Sequence, residues 1–180
     1  MERAYIITGS SSGLGASIAL SLREKGKNVI GIDWKDDADI VADLSVQEEL
    51  EVALNKAFSL CPNPAGVVSN AGLSPIHDDP YQILKVNWFA AKAVLDVSLP
   101  YLARSHLSSA VAISSIGAAI GGDADLEACL HSENLNRSNE CLKSLHHADP
   151  SSTGIIAYST CKAALARYVR RNAQAWGSKG

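Results

Sequence analysis

The stretch YIITGSSSGLG at residues 5–15 constrains the fold more than any other part of the chain. It joins an apolar run, typical of a buried strand, to a turn of glycines and serines. A backbone approaches a phosphate closely only where no Cβ intervenes, and glycine adopts positive φ without strain. Apolar residues then recur at helical spacing from Leu14 through Ile18 to Leu22, so the turn opens a helix. Unpaired N–H groups at such a helix start bind anions, which predicts a dinucleotide diphosphate site. The expected diphosphate contacts are Gly9, Ser12, Gly13, Leu14 and Gly15.

Length and charge exclude several classes of protein. The chain has 180 residues and a formal net charge of −3, which predicts one dinucleotide-binding domain over residues 1–180 and no nucleic-acid partner. No apolar run has the length of a membrane span, and the first residues lack a leader's basic and apolar regions, so we expect no membrane and a cytoplasmic location. The cysteines lack metal-type spacing, so we expect reduced thiols and no metal site. They are Cys61, Cys129, Cys141 and Cys161.

Apolar runs and amphipathic stretches alternate along the rest of the chain. Further strands are predicted at 27–33, 40–43, 65–72 and 109–115. Helices are predicted at 50–58, 80–99 (closed by Pro100) and 155–176. This alternation predicts an α/β, Rossmann-like doubly wound parallel sheet with helices on both faces. Ligands bind such sheets at the carboxyl ends of the strands, so chemistry is expected there.

Several strand ends carry residues suited to a dinucleotide. Asp33 ends the second strand, where a carboxylate accepts from the adenosine ribose hydroxyls and repels a 2′-phosphate, which favours NAD over NADP. Lys35 weakens that preference, and the alternative for Asp33 is a turn residue. Asp43 and Leu44 are expected near the adenine. The segment that lets the backbone pass close to the cofactor, or else forms an ordinary turn, is Asn70, Ala71 and Gly72.

The pentapeptide YSTCK indicates proton chemistry. Tyr158 and Lys162 are one helical turn apart, so both side chains lie on one helix face. An ammonium beside a phenol favours the phenolate, which can exchange a proton with an alcohol or a carbonyl. The pattern is common by chance, and it gains weight from Ser115 at a strand end and from the glycine turn.

Taken in order, TGSSSGLG, NAG, ISS and YSTCK resemble the motifs of the short-chain dehydrogenase/reductase family. The resemblance covers residues 4–176, and the glycine spacing matches the family's TGxxxGxG branch. Within the family, VIGID, VADLS, LKVNWFA and VRRNAQAWG are similar to the bacterial 3α-hydroxysteroid dehydrogenase/carbonyl reductase group.

The resemblance implies a role for each matching residue. Tyr158 would be the catalytic acid/base, and Lys162 would bind the nicotinamide ribose and tune Tyr158. Ser115 would hold the substrate oxygen, with Ser114 as the near alternative. Asn87 would interrupt its helix and hold a water in the proton relay to Lys162.

The implied activity is NAD-dependent hydride transfer between a secondary alcohol and a ketone. A hydroxysteroid or another bulky carbonyl compound is the expected substrate. The alternatives are a dehydrogenase of a small non-steroid alcohol and a non-catalytic NAD-binding sensor or scaffold. Relatives continue into a sixth strand, a substrate loop and a seventh strand, so we expect the chain to be C-terminally incomplete and slow in turnover.

A long insert at residues 117–153 separates Ser115 from Tyr158. Apolar residues at helical spacing predict two short helices, the first with Leu126 and Leu130 on one face and capped by Asp123. Short helices cannot bury an apolar face alone, so they must pack on the parent domain or on a second subunit. In relatives the flanking helices form the main dimer face. We therefore expect the insert to roof the substrate cleft and to divert the protein to a homodimer through another surface.

Overall fold

The computed structural model describes residues 3–105 and 107–179. The strands are parallel and pair in the order β3-β2-β1-β4-β5. They are β1 (Ala4–Thr8), β2 (Asn28–Asp33), β3 (Ile40–Val41), β4 (Gly66–Ser69) and β5 (Ser109–Ala112). Tyr5 of β1 lies opposite Val29 on one side and Gly66 on the other. The predicted Rossmann-like parallel sheet is confirmed.

Helices separate the strands and fill the predicted insert. They are α1 (Gly13–Glu24), α2 (Gln47–Leu60), α3 (Pro80–Leu84), α4 (Ala91–Leu102), α5 (Gly117–Ile120), α6 (Ala124–His131), α7 (Leu135–Ala148) and α8 (Thr153–Gly177). Residues Lys85–Ala90 form a π-helical turn between α3 and α4.

The chain forms two compact units. The first contains the chain up to Ala71, Ala93–Ile113 and the chain from Asn172 onward, and so carries the whole sheet with α1 and α2. The second contains Gly72–Lys92 and Ser114–Arg171, and so carries the π-helical turn, the insert and most of α8. A single domain over residues 1–180 stays a prediction.

An apolar cluster joins α1 to the sheet in the first unit. Ile7, Ala19 and Val68 are buried in it, and Ile18 and Leu22 pack against it. The helical spacing of these residues places them on the sheet side of α1. Leu14, predicted on the same face, lies in the first turn of α1 and is 54% exposed, so the buried part of this face begins at Ile18.

Several predicted boundaries need correction. The third and fifth strands end at Val41 and Ala112, short of the predicted residues 43 and 115. The fourth strand ends at Ser69 because the next amide, that of Asn70, donates to the Thr8 hydroxyl instead of extending the ladder. Pro100 does not close its helix, which continues to Leu102. The fixed φ of proline is compatible with a helix, and its ring and missing N–H disturb only the hydrogen bond to the turn before it. The helix continues after it, with the Ala103 amide donating to the Leu99 carbonyl at 3.0 Å.

Candidate functional site

Gly9 and Gly15, in the glycine turn after β1, have no room for side chains. Gly9 has a φ of +69°, and its amide donates to the Ile32 carbonyl at 2.8 Å. A Cβ on Gly9 would lie 2.8 Å from Nδ2 of Asn70, and one on Gly15 would overlap the Gly9 carbonyl oxygen. Ser12, the N-cap of α1, makes no side-chain cap hydrogen bond. The first amides of α1 therefore lack a side-chain cap, and the cradle suits an anion such as a diphosphate.

The Asp33 carboxylate lies beside this turn. It is 5% exposed, and its Oδ2 accepts from the Ser11 amide at 3.0 Å. Its Oδ1 accepts from the Lys35 amide at 3.2 Å. Each carboxylate oxygen has a second lone pair for a further donor. The group is thus fixed at the end of β2 with acceptor capacity left over.

Asp43 and Leu44 follow β3 and differ in exposure. Asp43 is exposed, its Oδ1 accepts from the Ser45 amide at 2.8 Å, and its own amide donates to Glu49 at 2.8 Å. Leu44 is buried at 7% exposure. The aspartate thus shapes the turn into α2, and adenine contact by either residue stays a prediction.

The Thr8 hydroxyl fixes the NAG segment, a function that the sequence analysis missed. Its Oγ1 accepts from the amides of Asn70 and Ala71 at 3.0 and 3.1 Å. In return, Nδ2 of Asn70 donates to the carbonyls of Thr8 and Gly9 at 3.0 and 3.2 Å. The ends of β1 and β4 are therefore held together by side chains, and the threonine before the first glycine was the available signal. The last residue of the segment, Gly72, is exposed.

In the second unit, α8 presents Tyr158 and Lys162 together. Lys162 is 5% exposed, and its Nζ lies 5.9 Å from the centre of the Tyr158 ring. Burial lowers the pKa of the Lys162 ammonium. Burial also raises the pKa of the Cys161 thiol. This side chain therefore stays protonated and serves as a small buried packing residue of α8.

The two serines after β5 have different partners. Ser114 Oγ donates to the Lys162 carbonyl at 3.0 Å. Ser115 Oγ accepts from the Gly117 amide at 3.1 Å. A Cβ on Gly117 would lie 3.2 Å from Cε1 of Tyr158 and 3.5 Å from Ser115 Oγ. Gly117 is thus close to both Ser115 and the Tyr158 ring. The Ser114 hydroxyl, in contrast, is engaged by a backbone carbonyl of α8.

Asn87 lies in the π-helical turn and is fully buried. Its Oδ1 accepts from the Leu73 amide at 2.7 Å, and its Nδ2 donates to the Leu73 carbonyl at 2.9 Å. The expected interruption of the helix is present as this π-helical turn, and π-helical turns are frequent at functional sites. A water held by Asn87 stays a prediction.

The insert is ordered and packs within the second unit. Asp123 Oδ1 caps α6 by accepting from the Leu126 amide at 2.7 Å, as predicted. Leu126, Leu130 and Leu142 are fully buried. The Trp88 indole donates to the Leu130 carbonyl at 3.0 Å. The two predicted helices are therefore confirmed as α6 and α7, and they pack on neighbouring helices of the same chain.

The expectation that all cysteines are reduced is wrong. Cys129 of α6 and Cys141 of α7 form a disulfide, while Cys61 and Cys161 are free and buried. Packing of α6 on α7 brings the two sulfurs together, and cysteine spacing along the chain does not reveal such a contact.

Two kinds of feature are absent from the described residues. No group of three histidine, cysteine or acidic side chains could hold a metal ion there. No helix in that part of the chain has the length and apolar character needed to cross a membrane.

Comparison with known proteins identifies close relatives. The chain is 33% identical over 178 residues to 3-alpha-hydroxysteroid dehydrogenase/carbonyl reductase of Comamonas testosteroni, covering 97% of this chain and 67% of that protein. The crystal structure of 3-alpha-hydroxysteroid dehydrogenase from a Pseudomonas species, complexed with NADH, superposes with a TM-score of 0.88 at 31% identity, covering 98% of this chain and 68% of that one. A short-chain dehydrogenase from Streptomyces avermitilis has the same fold, with a TM-score of 0.72 at 21% identity, covering 100% of this chain and 63% of that one. No family model matches.

Proposed function

Because the chain belongs to the short-chain dehydrogenase/reductase family, we propose that it is an NAD-dependent oxidoreductase that interconverts a secondary alcohol and a ketone. One observation carries this proposal: the buried Lys162 ammonium beside the Tyr158 ring, with Gly117 against that ring and Ser115 hydrogen-bonded to Gly117. A scaffold that only binds NAD could use Lys162 on the nicotinamide ribose, but it has no use for a tyrosine hydroxyl beside that ammonium.

The proton chemistry follows from these side chains. The Tyr158 hydroxyl gives its proton to a ketone oxygen or takes one from an alcohol, and Ser115 Oγ–H donates to the same oxygen. Lys162 stabilises the phenolate form of Tyr158 because a cation favours a nearby anion. The nicotinamide cofactor supplies the hydride when bound. Lys162 also binds the nicotinamide ribose, as the family resemblance implies.

The first unit supplies most of the proposed dinucleotide contacts and the preference for NAD. Its uncapped α1 amides and the glycine cradle suit the diphosphate. The fixed Asp33 carboxylate accepts from both ribose hydroxyls and repels a 2′-phosphate. The solved relative complexed with NADH supports the same preference. The remaining proposed cofactor contacts are Ser12, Gly13, Leu14, Asp43, Leu44, Asn70, Ala71 and Gly72.

The proposed substrate is a hydroxysteroid or another bulky, largely apolar carbonyl compound. Ile116, which directly follows Ser115, is 83% exposed, and Ile120 is 76% exposed. Ile155, three residues before Tyr158, is 53% exposed. Apolar side chains this exposed around the reacting groups favour an apolar partner. The names of both relatives that are over 30% identical support a steroid.

Turnover tests this proposal directly. The purified protein is mixed with NAD or NADP and a panel of hydroxysteroids, bulky aromatic alcohols and small aliphatic alcohols, and NADH absorbance is followed. We expect NADH formation with NAD and the bulky alcohols. Activity confined to small alcohols would remove the substrate proposal, and NAD binding without any turnover would favour the sensor.

We also propose a homodimer through a surface other than the usual family dimer face. The insert packs on the π-helical turn through Trp88 and on α8 through the Glu127–Arg167 ion pair, so it covers those faces within the chain. Replacing residues 121–152 by a short glycine linker tests this by sedimentation, with circular dichroism confirming the fold. An unchanged assembly would contradict the proposal.

Residence in the cytoplasm stays a prediction, and the Cys129–Cys141 disulfide is an observation against it.

A further inference from the structure

The segment 115–123, which we call the strap, wraps around α8. At its start, Gly117 abuts the ring of Tyr158. At its end, the Asp123 amide donates to Thr160 Oγ1 at 2.9 Å. Tyr158 and Thr160 are separated by about 200° around the helix axis, because each residue advances about 100°. The strap therefore contacts α8 on the face of the acid/base and again on the opposite face.

The contact of the strap with Thr160, on the far face of α8, leaves this end of the strap little room to move. Thr160 is fully buried, and its hydroxyl donates to the Ile156 carbonyl at 2.7 Å while it accepts from Asp123. A Cβ on Gly122 would lie 2.5 Å from the Thr160 Cα and 2.8 Å from its Cβ. Gly121 turns the strap toward this contact with a φ of +88°, a conformation that favours glycine.

The near end of the strap carries the proposed substrate-binding oxygen. Ser115 Oγ accepts from the Gly117 amide at 3.1 Å, and the Ala118 amide donates to the Ser115 carbonyl at 3.0 Å. The side chain of Ser115 is thus fixed to the same short segment whose other end is fixed at Thr160. A shift of the strap along α8 changes the distance from Ser115 Oγ to the Tyr158 hydroxyl.

We propose that Thr160 is a positioning residue, which sets the placement of Ser115 against Tyr158 by holding the Gly122–Asp123 end of the strap. This inference rests on the proposed function, since it assigns a task to a residue of that same site. Misplacement of reacting groups by a fraction of an ångström slows a chemical step more than it weakens binding. Thr160 therefore acts on kcat through Ser115 without contacting the substrate.

Three variants of the full-length protein test this. Thr160→Val keeps the side-chain shape but removes the acceptor, and we expect kcat to fall about tenfold while the Kd for NAD changes by less than about twofold. Thr160→Ser keeps the hydroxyl, and we expect it to restore kcat to within about twofold of the wild type. Thr153→Val is the matched control, because Thr153 is equally buried on the same helix and donates to the Asp149 carbonyl at 2.9 Å. It should lower Tm comparably and leave kcat unchanged.

Hydrogen exchange separates this inference from the proposed function. In Thr160→Val, the amides of 117–123 should exchange faster, and in Thr153→Val they should not. Unchanged exchange in Thr160→Val, or an equal loss of kcat in Thr153→Val, would overturn the positioning role. A wild type that turns over no alcohol would contradict the proposed function, while the exchange result would still decide whether Thr160 holds the strap.

Discussion

Asn87 holds both polar groups of the Leu73 backbone, accepting from its amide at 2.7 Å and donating to its carbonyl at 2.9 Å. Leu73 directly follows the NAG segment, and Asn87 is fully buried. One amide side chain in the π-helical turn therefore orders the loop that follows β4 and the NAG segment.

The first prediction concerns this pair. Asn87→Leu removes both hydrogen bonds and leaves the Leu73 groups without them, which costs about 2–6 kcal/mol since each unsatisfied group costs about 1–3 kcal/mol. Asn87→Asp keeps only the acceptor, and it should lose about half as much. Chemical denaturation measures both. Asn172→Leu, at a half-buried position on α8 outside this loop, is the control, and equal losses at the two positions would remove the special role of Asn87.

The second prediction concerns the nucleotide. NAD should bind at least about tenfold tighter than NADP, or about 1.4 kcal/mol, because Asp33 repels a 2′-phosphate. Asp33→Ala should shrink that ratio, mainly by weakening NAD. Calorimetric titration with both nucleotides measures it. Asp36→Ala removes an exposed carboxylate three residues away and should leave the ratio unchanged. Equal affinities in the unmutated protein would contradict the assignment.

The sheet and the cradle could be predicted because their causes are local. Buried strands are short apolar runs, and the glycine turn must be glycine because Gly9 and Gly15 meet neighbouring backbone and side-chain atoms. Both signals are visible within a dozen residues. The alternation of strands and helices predicted the parallel sheet, whereas the order β3-β2-β1-β4-β5 came from the structure.

What the sequence did not reveal depends on contacts between distant residues. Thr160 resembles any small residue inside a helix, and only its contact with Asp123 shows its use. Cys129 and Cys141 gave no pairing signal, because the packing of α6 on α7 brings them together. Pro100 resembles a helix end, yet proline's ring fits a late helical turn.

The third prediction concerns proton transfer. Tyr158→Phe should lower kcat about 10²–10⁴-fold, the range for loss of a general acid/base, and leave the Kd for NAD nearly unchanged. Lys162→Met should lower kcat and also weaken NAD binding, because Lys162 is assigned to both tasks. Steady-state kinetics and calorimetry measure the two effects. Tyr101→Phe, a ring that stacks on Phe58 in the first unit, is the control. Substantial turnover by Tyr158→Phe would assign the proton to another group.

The fourth prediction concerns the disulfide of the insert. Reduction, or the double change Cys129→Ser and Cys141→Ser, frees two helices linked across a separation of 12 residues. Closing a loop of this size stabilises a protein by about 3 kcal/mol, which corresponds to a Tm loss of about 6–12 °C in a chain of this length. Thermal unfolding with and without dithiothreitol measures it. The Tm of the double variant should not change with reductant. If the Tm of the wild type did not change with reductant either, that result would contradict a native disulfide.

The fifth prediction concerns pH and the ion pair that fastens α6 to α8. Burial raises the pKa of the Glu127 carboxyl, but hydrogen bonding and attraction from Arg167 and then His131 more than offset it, so this pKa lies below its ordinary value of 4.5. Between the folded and unfolded pKa values the unfolded chain binds more protons, so stability rises with pH there. The contribution is fully present above about 4.5 and disappears as pH falls through the folded pKa.

Glu127→Gln should therefore lower the free energy of unfolding by about 0.5–1 kcal/mol at pH 7, the scale of a partly exposed pair, and by progressively less as pH falls from about 4.5 to 3. Denaturant unfolding across that pH range measures the difference. Asp125→Asn is the matched control, because Asp125 also lies in the first turn of α6 but is exposed. It shares the helix-dipole contribution of Glu127 and lacks its ion pair. Parallel pH profiles for the two variants would show that the Arg167 contact adds nothing, whereas a larger loss for Glu127→Gln above pH 4.5 shows that it fastens the insert.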